Sequence, residues 1–548
     1  MSCWKRMIAL LLVCITVGLM TGPVYADIPA AYWPIQAEYT AALEKNDGAG
    51  IIRAVKKLEA LYPKPTTESE YLQLAFPLQQ AASAYEKQGN FPQAAAYYKK
   101  ALTCVEWLDK NVKDFYDLIQ GLKSLIRHCD VQPAVYTLSA TPSVTYNAKH
   151  EPASGTYFGR CNSIDSGEPC SAFMLYTHFY DEDVEDFAWL LPKNTDNYLL
   201  ELAWNMPNES LADLQNVVKP ETMDYIVKNL QYLEALDVPV IIRFAAEVNC
   251  WPTLPGTSAE AELKKFTDAY IAAFRYVAKL ADEYAPKNVA MAYAPLDISN
   301  WYVDVMDFYP GDEYVDWIAI NSYINKASKT VGTAGSGTDA YYSLGLYDNQ
   351  LTKIQHIVEL FGDRKPLFIG ECGFCYQDTE GLQTSGYAAE KLTEFYTYVN
   401  MVYPQIKAVF HYDNDMDGNL YSIQGNDAVS DAYAKAVRNN APMQSMLNDK
   451  SAPANYRKLE TFSEKADTLQ LYTYASYPTN APVTVTYTLN GKKLTSGTTA
   501  PYSCSITPGQ LDRASNQLTV NITCAATVKT LQYILQVKDG VITATMKP

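Results

Sequence analysis

Along residues 30–130 apolar side chains recur three and four positions apart, the period of helices that bury one face. Tyr85, Phe91, Ala94, Tyr98 and Ala101 flank the turn signal Gly89-Asn90, with alanine where two helix backbones must approach closely. Beyond residue 150 the pattern changes. Eight apolar runs appear there: Tyr157–Cys161, Ala172–Phe179, Tyr198–Trp204, Val238–Ala245, Val289–Ala294, Val315–Tyr323, Pro366–Gly370 and Ala408–Tyr412. Amphipathic stretches such as Thr222–Leu236, Ala259–Tyr284, Leu351–Phe361 and Ala388–Val402 separate several of them. Continuous apolar runs suit strands buried on both faces. Eight of them interleaved with helices predict a (β/α)8 TIM barrel. A doubly wound sheet would need a glycine-rich phosphate turn after its first strand, and none is there. Past a polar break at Asn448–Asn455, alternation at period two takes over in Leu469–Tyr474, Val483–Leu489 and Leu518–Ile522, with Asn490-Gly491 as a hairpin turn. That predicts an antiparallel β-sandwich standing apart as a spacer.

The chain is thus multidomain: an α-helical domain over 27–133, a barrel over 134–447 and a β-sandwich over 455–548. Residues 1–26 read as a signal peptide, with Lys5 and Arg6 before the apolar run Met7–Val17 and small residues ahead of Asp27. The expected protein is secreted, with no membrane span. Its net charge of −17 argues against nucleic acid, which demands clustered Lys and Arg. Eleven cysteines become nine once the leader is gone. Cys161 with Cys170, and Cys504 with Cys524, are the pairs expected to form disulfides. The five histidines show no ligand spacing, so neither a metal nor a cofactor is expected. The 43 tyrosines suit a surface that holds polar ligands such as sugars, since each pairs a flat apolar face with a polar tip.

Chemistry in such a barrel sits where strands end. The fourth run leads through Arg243 to Glu247, Asn249 and Trp251, and the seventh ends on Gly370-Glu371. A carboxylate at the end of a buried strand is costly unless paired or functional. Two of them across one barrel mouth are what glycosidic cleavage needs, one to protonate the leaving oxygen and one to attack. Trp204, Trp251, Trp301 and Tyr302 fall at or beyond strand ends and are candidate sugar platforms, while Trp189 and Trp317 are expected to pack in the barrel. Asn205, Asp297, His411, Asp413 and Asp415 are candidate polar contacts at the mouth.

Three motifs carry a resemblance: Arg243-x-x-x-Glu247-x-Asn249, the block Tyr309-Pro-Gly-Asp-Glu-Tyr-Val-Asp-Trp-Ile318, and Lys365-Pro-x-x-x-Gly-Glu371-x-Gly373. Together they resemble glycoside hydrolase family 26, retaining barrels that include β-mannanases and related β-glucanases and xylanases. The resemblance implies Glu247 as acid/base, Glu371 as nucleophile and Tyr323 as the hydroxyl that bonds the nucleophile. The helix–turn–helix around Gly89 similarly resembles a tetratricopeptide repeat, which makes the helical domain a candidate for protein or cell-wall contact. The chain departs from the family where His is usual, at Ala246 and at Asn205 after Trp204. It departs again where a Trp is usual at the last strand, with His411 and Tyr412 instead. These losses direct the expected specificity away from plain linear mannan. They also define the alternative reading, a catalytically weak or inactive barrel that binds extracellular carbohydrate.

Overall fold

A computed structural model describes residues 28–112, 115–130, 132–161, 170–192, 198–252, 259–296, 304–325, 350–379, 381–416, 418–444, 454–477, 482–524 and 527–547. Five helices open it: α1 (Tyr32–Glu44), α2 (Gly48–Leu61), α3 (Glu68–Lys87), α4 (Phe91–Val112) and α5 (Tyr116–Cys129). Asp47 caps α2 by accepting from the Gly50 N–H, and Thr67 with Glu70 forms a capping box on α3. Gly89 turns the chain between α3 and α4 at a φ of +73°, where a side chain would be strained. Tyr85, Phe91, Ala94, Tyr98 and Ala101 are buried in one helical core.

The strand β1 (Ala134–Ser139) follows, and then a segment that plugs the bottom of the barrel. Trp317 donates its indole N–H to Lys149 O at 2.7 Å, and Lys407 donates to Val144 O at 2.8 Å. The barrel strands are β2 (Tyr157–Cys161), β3 (Ala172–His178), β4 (Leu199–Asn205), β5 (Val240–Phe244), β6 (Val289–Tyr293), β7 (Trp317–Ile324), β8 (Leu367–Phe374) and β9 (Ile406–His411). Each pairs parallel with the next, and β9 closes on β2. All eight correspond to the runs read from the sequence. Between and after them lie α6 (Leu211–Val217), α7 (Pro220–Ala235), α8 (Ala259–Tyr284), α9 (Gln350–Phe361), α10 (Ser385–Val402), α11 (Asp427–Asn439) and α12 (Ala441–Gln444).

Strand alternation divides the barrel wall into two cores. Val240, Ile242 and Phe244 of β5 join the outer core beneath the helices, while Ile241 packs inside with Ala292, Trp317, Phe368 and Phe410. Trp317 is therefore core, as expected. Trp189 is not: it is 66% exposed on a short turn after β3.

The C-terminal strands are β10 (Asn455–Lys458), β11 (Thr461–Lys465), β12 (Leu469–Tyr474), β13 (Val483–Leu489), β14 (Lys492–Gly497), β15 (Cys504–Ile506), β16 (Asn516–Cys524), β17 (Thr527–Lys538) and β18 (Val541–Met546). They form two antiparallel sheets around one core, in the orders β10-β1-β12-β15 and β11-β18-β17-β16-β13-β14. Asn490 and Gly491 make the β13–β14 hairpin with positive φ at both positions. The sandwich does not stand apart. Residues 134–139 fall inside the range that the sequence assigned to the barrel, yet β1 lies between β10 and β12. Its alternation explains why: Val135 enters the sandwich core and Tyr136 the barrel core. Tyr398 on α10 donates to Thr473 O at 3.3 Å, which ties the same sheet to the barrel.

Cys161 and Cys504 are thiols, so neither expected disulfide forms. Cys161 turns into the barrel, where its sulfur accepts the Asp413 N–H at 3.2 Å. Among the described residues, no helix is long and apolar enough to cross a membrane.

Candidate active site

A single guanidinium organises the mouth of the barrel. Arg243, the fourth residue of β5, is 1% exposed and points inward. Its Nε donates to Glu201 Oε1 on β4 at 2.6 Å, and its Nη2 lies 2.6 Å from Glu371 Oε1 on β8. Its Nη1 donates to Asn321 Oδ1 on β7 at 3.3 Å. Burial alone would lower the Arg243 pKa, but Glu201 and Glu371 more than offset it and hold the group charged. Burial pushes the Glu201 carboxyl up, to about 7, against the pull of Arg243. Its Oε2 is buried with no hydrogen-bond partner.

A β-bulge aims Glu371. Phe368 faces the barrel interior, and simple alternation would turn a residue three positions later outward. The pairing with β7 steps from Ile320↔Ile369 to Asn321↔Glu371, so Gly370 is an extra residue that resets the face. A side chain there would be crowded: a Cβ would lie 3.0 Å from Asn321 Oδ1 and 3.2 Å from Arg243 Cδ. Three residues on, a Cβ at Gly373 would stand 2.7 Å from the Tyr323 ring. That gap lets Tyr323 lie against β8 and donate its hydroxyl to Glu371 Oε2. Both oxygens of Glu371 thus meet a donor.

Glu247 reaches the mouth by a different route. It follows β5 at a φ of 60°, and Ala245 before it has a φ of 47°, so two side-chain-bearing residues occupy left-handed backbone. Such strain persists only where the surroundings enforce it. Here Glu247 N donates to Ala294 O at 2.7 Å and Ala245 N to Trp204 O at 3.1 Å. Asn321 Nδ2 donates to Glu247 Oε1 at 2.7 Å, so Arg243 is linked to both glutamates, directly to one and through Asn321 to the other. Around them stand Tyr176 on β3, Tyr323, Tyr412 and Tyr421, with Tyr412 5.8 Å and Tyr421 5.6 Å from the Tyr323 ring. The Tyr176 hydroxyl is buried without a hydrogen-bond partner.

Residues 175–377 match the model for glycosyl hydrolase family 26, and residues 452–520 match that for a bacterial Ig domain. The barrel is a glycosyl hydrolase family 26 domain. Endoglucanase H of Acetivibrio thermocellus is 23% identical over 261 residues, which are 46% of this chain and 26% of that protein. The chain thus matches about a quarter of that relative's length. Two solved mannanases are also similar. The Cellulomonas fimi endo-β-1,4-mannanase double mutant is 12% identical with a TM-score of 0.35, covering 69% of this chain and 94% of its own. The family 26 β-mannanase of Bacteroides ovatus is 13% identical with a TM-score of 0.35, covering 53% and 90%. Scores this low add nothing to the fold already read from strand pairing.

Around the paired glutamates, the family 26 barrel brings together Arg243 and Tyr323 of the residues singled out in the sequence. Asn205 ends β4 on the face of Glu201 and is half-buried. Trp251 is also half-buried, with its indole N–H enclosed and unpartnered. Asn249 is fully buried and serves the backbone: its side chain bonds Leu296 N at 2.9 Å and Leu296 O at 3.3 Å. Trp301, Tyr302 and Asp297 lie outside the described residues.

Two candidates face the wrong way for a sugar. Trp204 is 0% exposed in the outer core, packed in tilted and edge-on contacts among Phe179, Tyr225 and Phe244, with its N–H on Tyr225 Oη at 3.2 Å. His411 is also 0% exposed; its Nδ1 is 3.1 Å from Tyr396 Oη, and its ring stacks on Phe374 and Tyr396. Alternation decides both cases, since Ala203 and Phe410 beside them occupy the inward positions. Asp413 and Asp415 shape the loop after β9, accepting from Ile423 N at 2.6 Å and from Tyr421 N at 2.9 Å. That loop brings Tyr421 to Tyr323. Glu201, Asn321 and Tyr176 were missed. All three were findable as polar or aromatic residues inside apolar runs, an even count from an inward neighbour.

Proposed function

We propose that this chain is an exported, retaining glycoside hydrolase acting on β-linked polysaccharide, with Glu371 as nucleophile and Glu247 as acid/base. The observation that carries the reading is the double hold on Glu371, by Arg243 on one oxygen and Tyr323 on the other, opposite a second glutamate in a tyrosine-walled mouth. In the first step the Glu371 carboxylate attacks the anomeric carbon as the glycosidic bond breaks, and Glu247 gives its proton to the departing oxygen. The result is a glycosyl ester on Glu371. In the second step Glu247 takes a proton from water, the water oxygen attacks the same carbon, and Glu371 leaves as carboxylate. Retention follows from the two inversions. The apolar leader at residues 1–26 supports export, and the helical domain is a place for contact with wall or protein. The departures at Ala246, Asn205 and Tyr412 support a glucan, a xylan or a decorated glycan over plain linear mannan.

A panel of β-linked glucans, xylans and mannans, read by released reducing ends, tests the substrate class. Glu371→Ala and Glu247→Ala on an activated aryl glycoside, with and without azide, test the roles. Azide should revive the position 247 variant alone, and the native product should keep its anomeric configuration. Rescue at 371 instead, or an inverted product, overturns the assignment.

A further inference from the structure

We infer that Asn321 is a positioning residue that fixes which oxygen of Glu247 carries the transferable proton. The inference rests on the glycosidase reading and deepens it. Asn321 sits on the inward face of β7, 3% exposed, between the two glutamates. Its amide has one acceptor atom and one donor atom, and its neighbours dictate which way it points. Arg243 offers only N–H donors, so the oxygen of Asn321 must face it, as the 3.3 Å contact from Nη1 to Oδ1 has it. The nitrogen then has to face Glu247, and Nδ2 stands 2.7 Å from Oε1. The amide cannot flip without setting N–H against N–H on Arg243.

This orientation has a chemical consequence. A carboxyl group accepts best at its carbonyl-type oxygen, so a donor clamped on Oε1 leaves the proton to Oε2. The general acid is thereby presented in a single orientation, and after transfer the same N–H steadies the carboxylate that must next activate water. Gly370 belongs to the device, because a Cβ there would stand 3.0 Å from Asn321 Oδ1 and crowd the amide that Arg243 holds. The strained backbone of Glu247 fits the same account, since the residue is held from the backbone side by Ala294 and from the side-chain side by Asn321. Around the pair, the other charged or titratable groups are Arg243 on β5, Glu201 on β4, Tyr176 on β3, Tyr323 on β7 and Glu371 on β8.

The test uses Asn321→Asp, which keeps shape and replaces the donor by a negative oxygen, and Asn321→Ala, which removes the clamp. In the Asp variant the alkaline limb of kcat/KM on polysaccharide, which reports the proton on the acid, should move up by about one pH unit, because a like charge disfavours ionisation of Glu247. In the Ala variant kcat on polysaccharide should fall roughly 10- to 100-fold, a part of the roughly 10²- to 10⁴-fold that a well-placed general acid contributes. Formation of the glycosyl-enzyme from an aryl glycoside with a good leaving group should change by less than about threefold, since that step needs no acid. Thermal melting of both variants shows that the fold survives. If the native protein turned over neither substrate, the glycosidase reading would fall and take the inference with it. If the native protein is active and both variants keep its pH profile and its dependence on leaving group, the inference alone is wrong.

Discussion

The ends of β5 and β9 make an instructive pair. Each is an apolar run with a basic side chain near the barrel mouth, Arg243 one residue before the end of β5 and His411 at the end of β9, and both side chains are buried. Arg243 falls on the inward face and gathers Glu201, Asn321 and Glu371 around it. His411 falls on the outward face, among Phe374, Tyr396 and Tyr433. Nearness to a strand end brings a residue to the rim, and the count of residues from an inward neighbour decides whether it joins the chemistry or the packing. Burial then has opposite consequences. Inside, charge is matched by charge; outside, the neutral form of the histidine is enforced, its pKa pushed down to about 3 by burial and by Arg160.

The largest expected difference between the two faces lies in turnover. Glu371→Ala should lower kcat on every substrate by roughly 10⁴- to 10⁶-fold, the cost expected for the nucleophile proposed above, with the melting temperature held near native. Retained activity above a hundredth of native on any glycan would remove Glu371 from the mechanism.

Next comes Arg243→Met, which keeps the length of the side chain and strands two carboxylates. Breaking a buried ion pair from one side costs about 3–5 kcal/mol, so urea unfolding should shift by that order. Activity should fall with it, because Glu371 Oε1 and Asn321 Oδ1 both lose their donor. A variant as stable as native would mean that Glu201 and Glu371 already share protons and need no counter-charge.

Why the inward set was only half legible follows from the same alternation. The eight strands were plain in the sequence because strands buried on both faces are apolar throughout. That continuity hides the parity, so Trp204 and His411, which face out, were indistinguishable from Tyr176, which faces in. Arg243 and Glu371 were legible at the ends of their apolar runs, and Tyr323 came only from the family resemblance. Asn321 and Glu201 needed the parity to be counted, and Gly370 shows that even a count fails where one inserted residue resets the face. The place of β1 was hidden for another reason: its partner β10 begins more than three hundred residues later, a separation that no local pattern reports. The expected disulfides failed because closeness in sequence says nothing of direction, and Cys161 turns inward.

A smaller effect distinguishes the outward face by pH. Above the unfolded value of 6.5 the His411 ring is neutral in both states and contributes no pH dependence. As pH falls from there toward about 3, the unfolded chain takes up a proton that the folded chain refuses, and stability drops by about 1.4 kcal/mol per unit. His411→Asn should flatten the fall in unfolding free energy between pH 6.5 and 4.5 relative to native, while kcat at pH 7 stays within about twofold. Parallel stability curves would place a counter-charge at the ring.

The mildest substitution sharpens the comparison most. Trp204→Phe removes an indole that the sequence offered as a sugar platform and that the fold sets beneath the helices. The ring that replaces it still packs on Phe179 and Phe244, whose centroids lie 4.7 and 6.5 Å from that of Trp204. Tyr225 loses the indole as a donor but keeps its own bond to Glu182 O at 2.8 Å, so no polar group is left stranded. The cost is a partly refilled cavity and one hydrogen bond, about 1–2 kcal/mol, visible as a lower urea midpoint with unchanged slope. KM and kcat should stay within about twofold of native. Tyr176→Phe makes the opposite case, because it deletes only a hydroxyl that has no partner within the protein. Stability there should hold or rise, and KM or kcat should worsen if this hydroxyl, beside Glu371 and Arg243, bonds the substrate. A Trp204→Phe variant that loses affinity while keeping its urea midpoint would reverse the two faces and return Trp204 to the sugar.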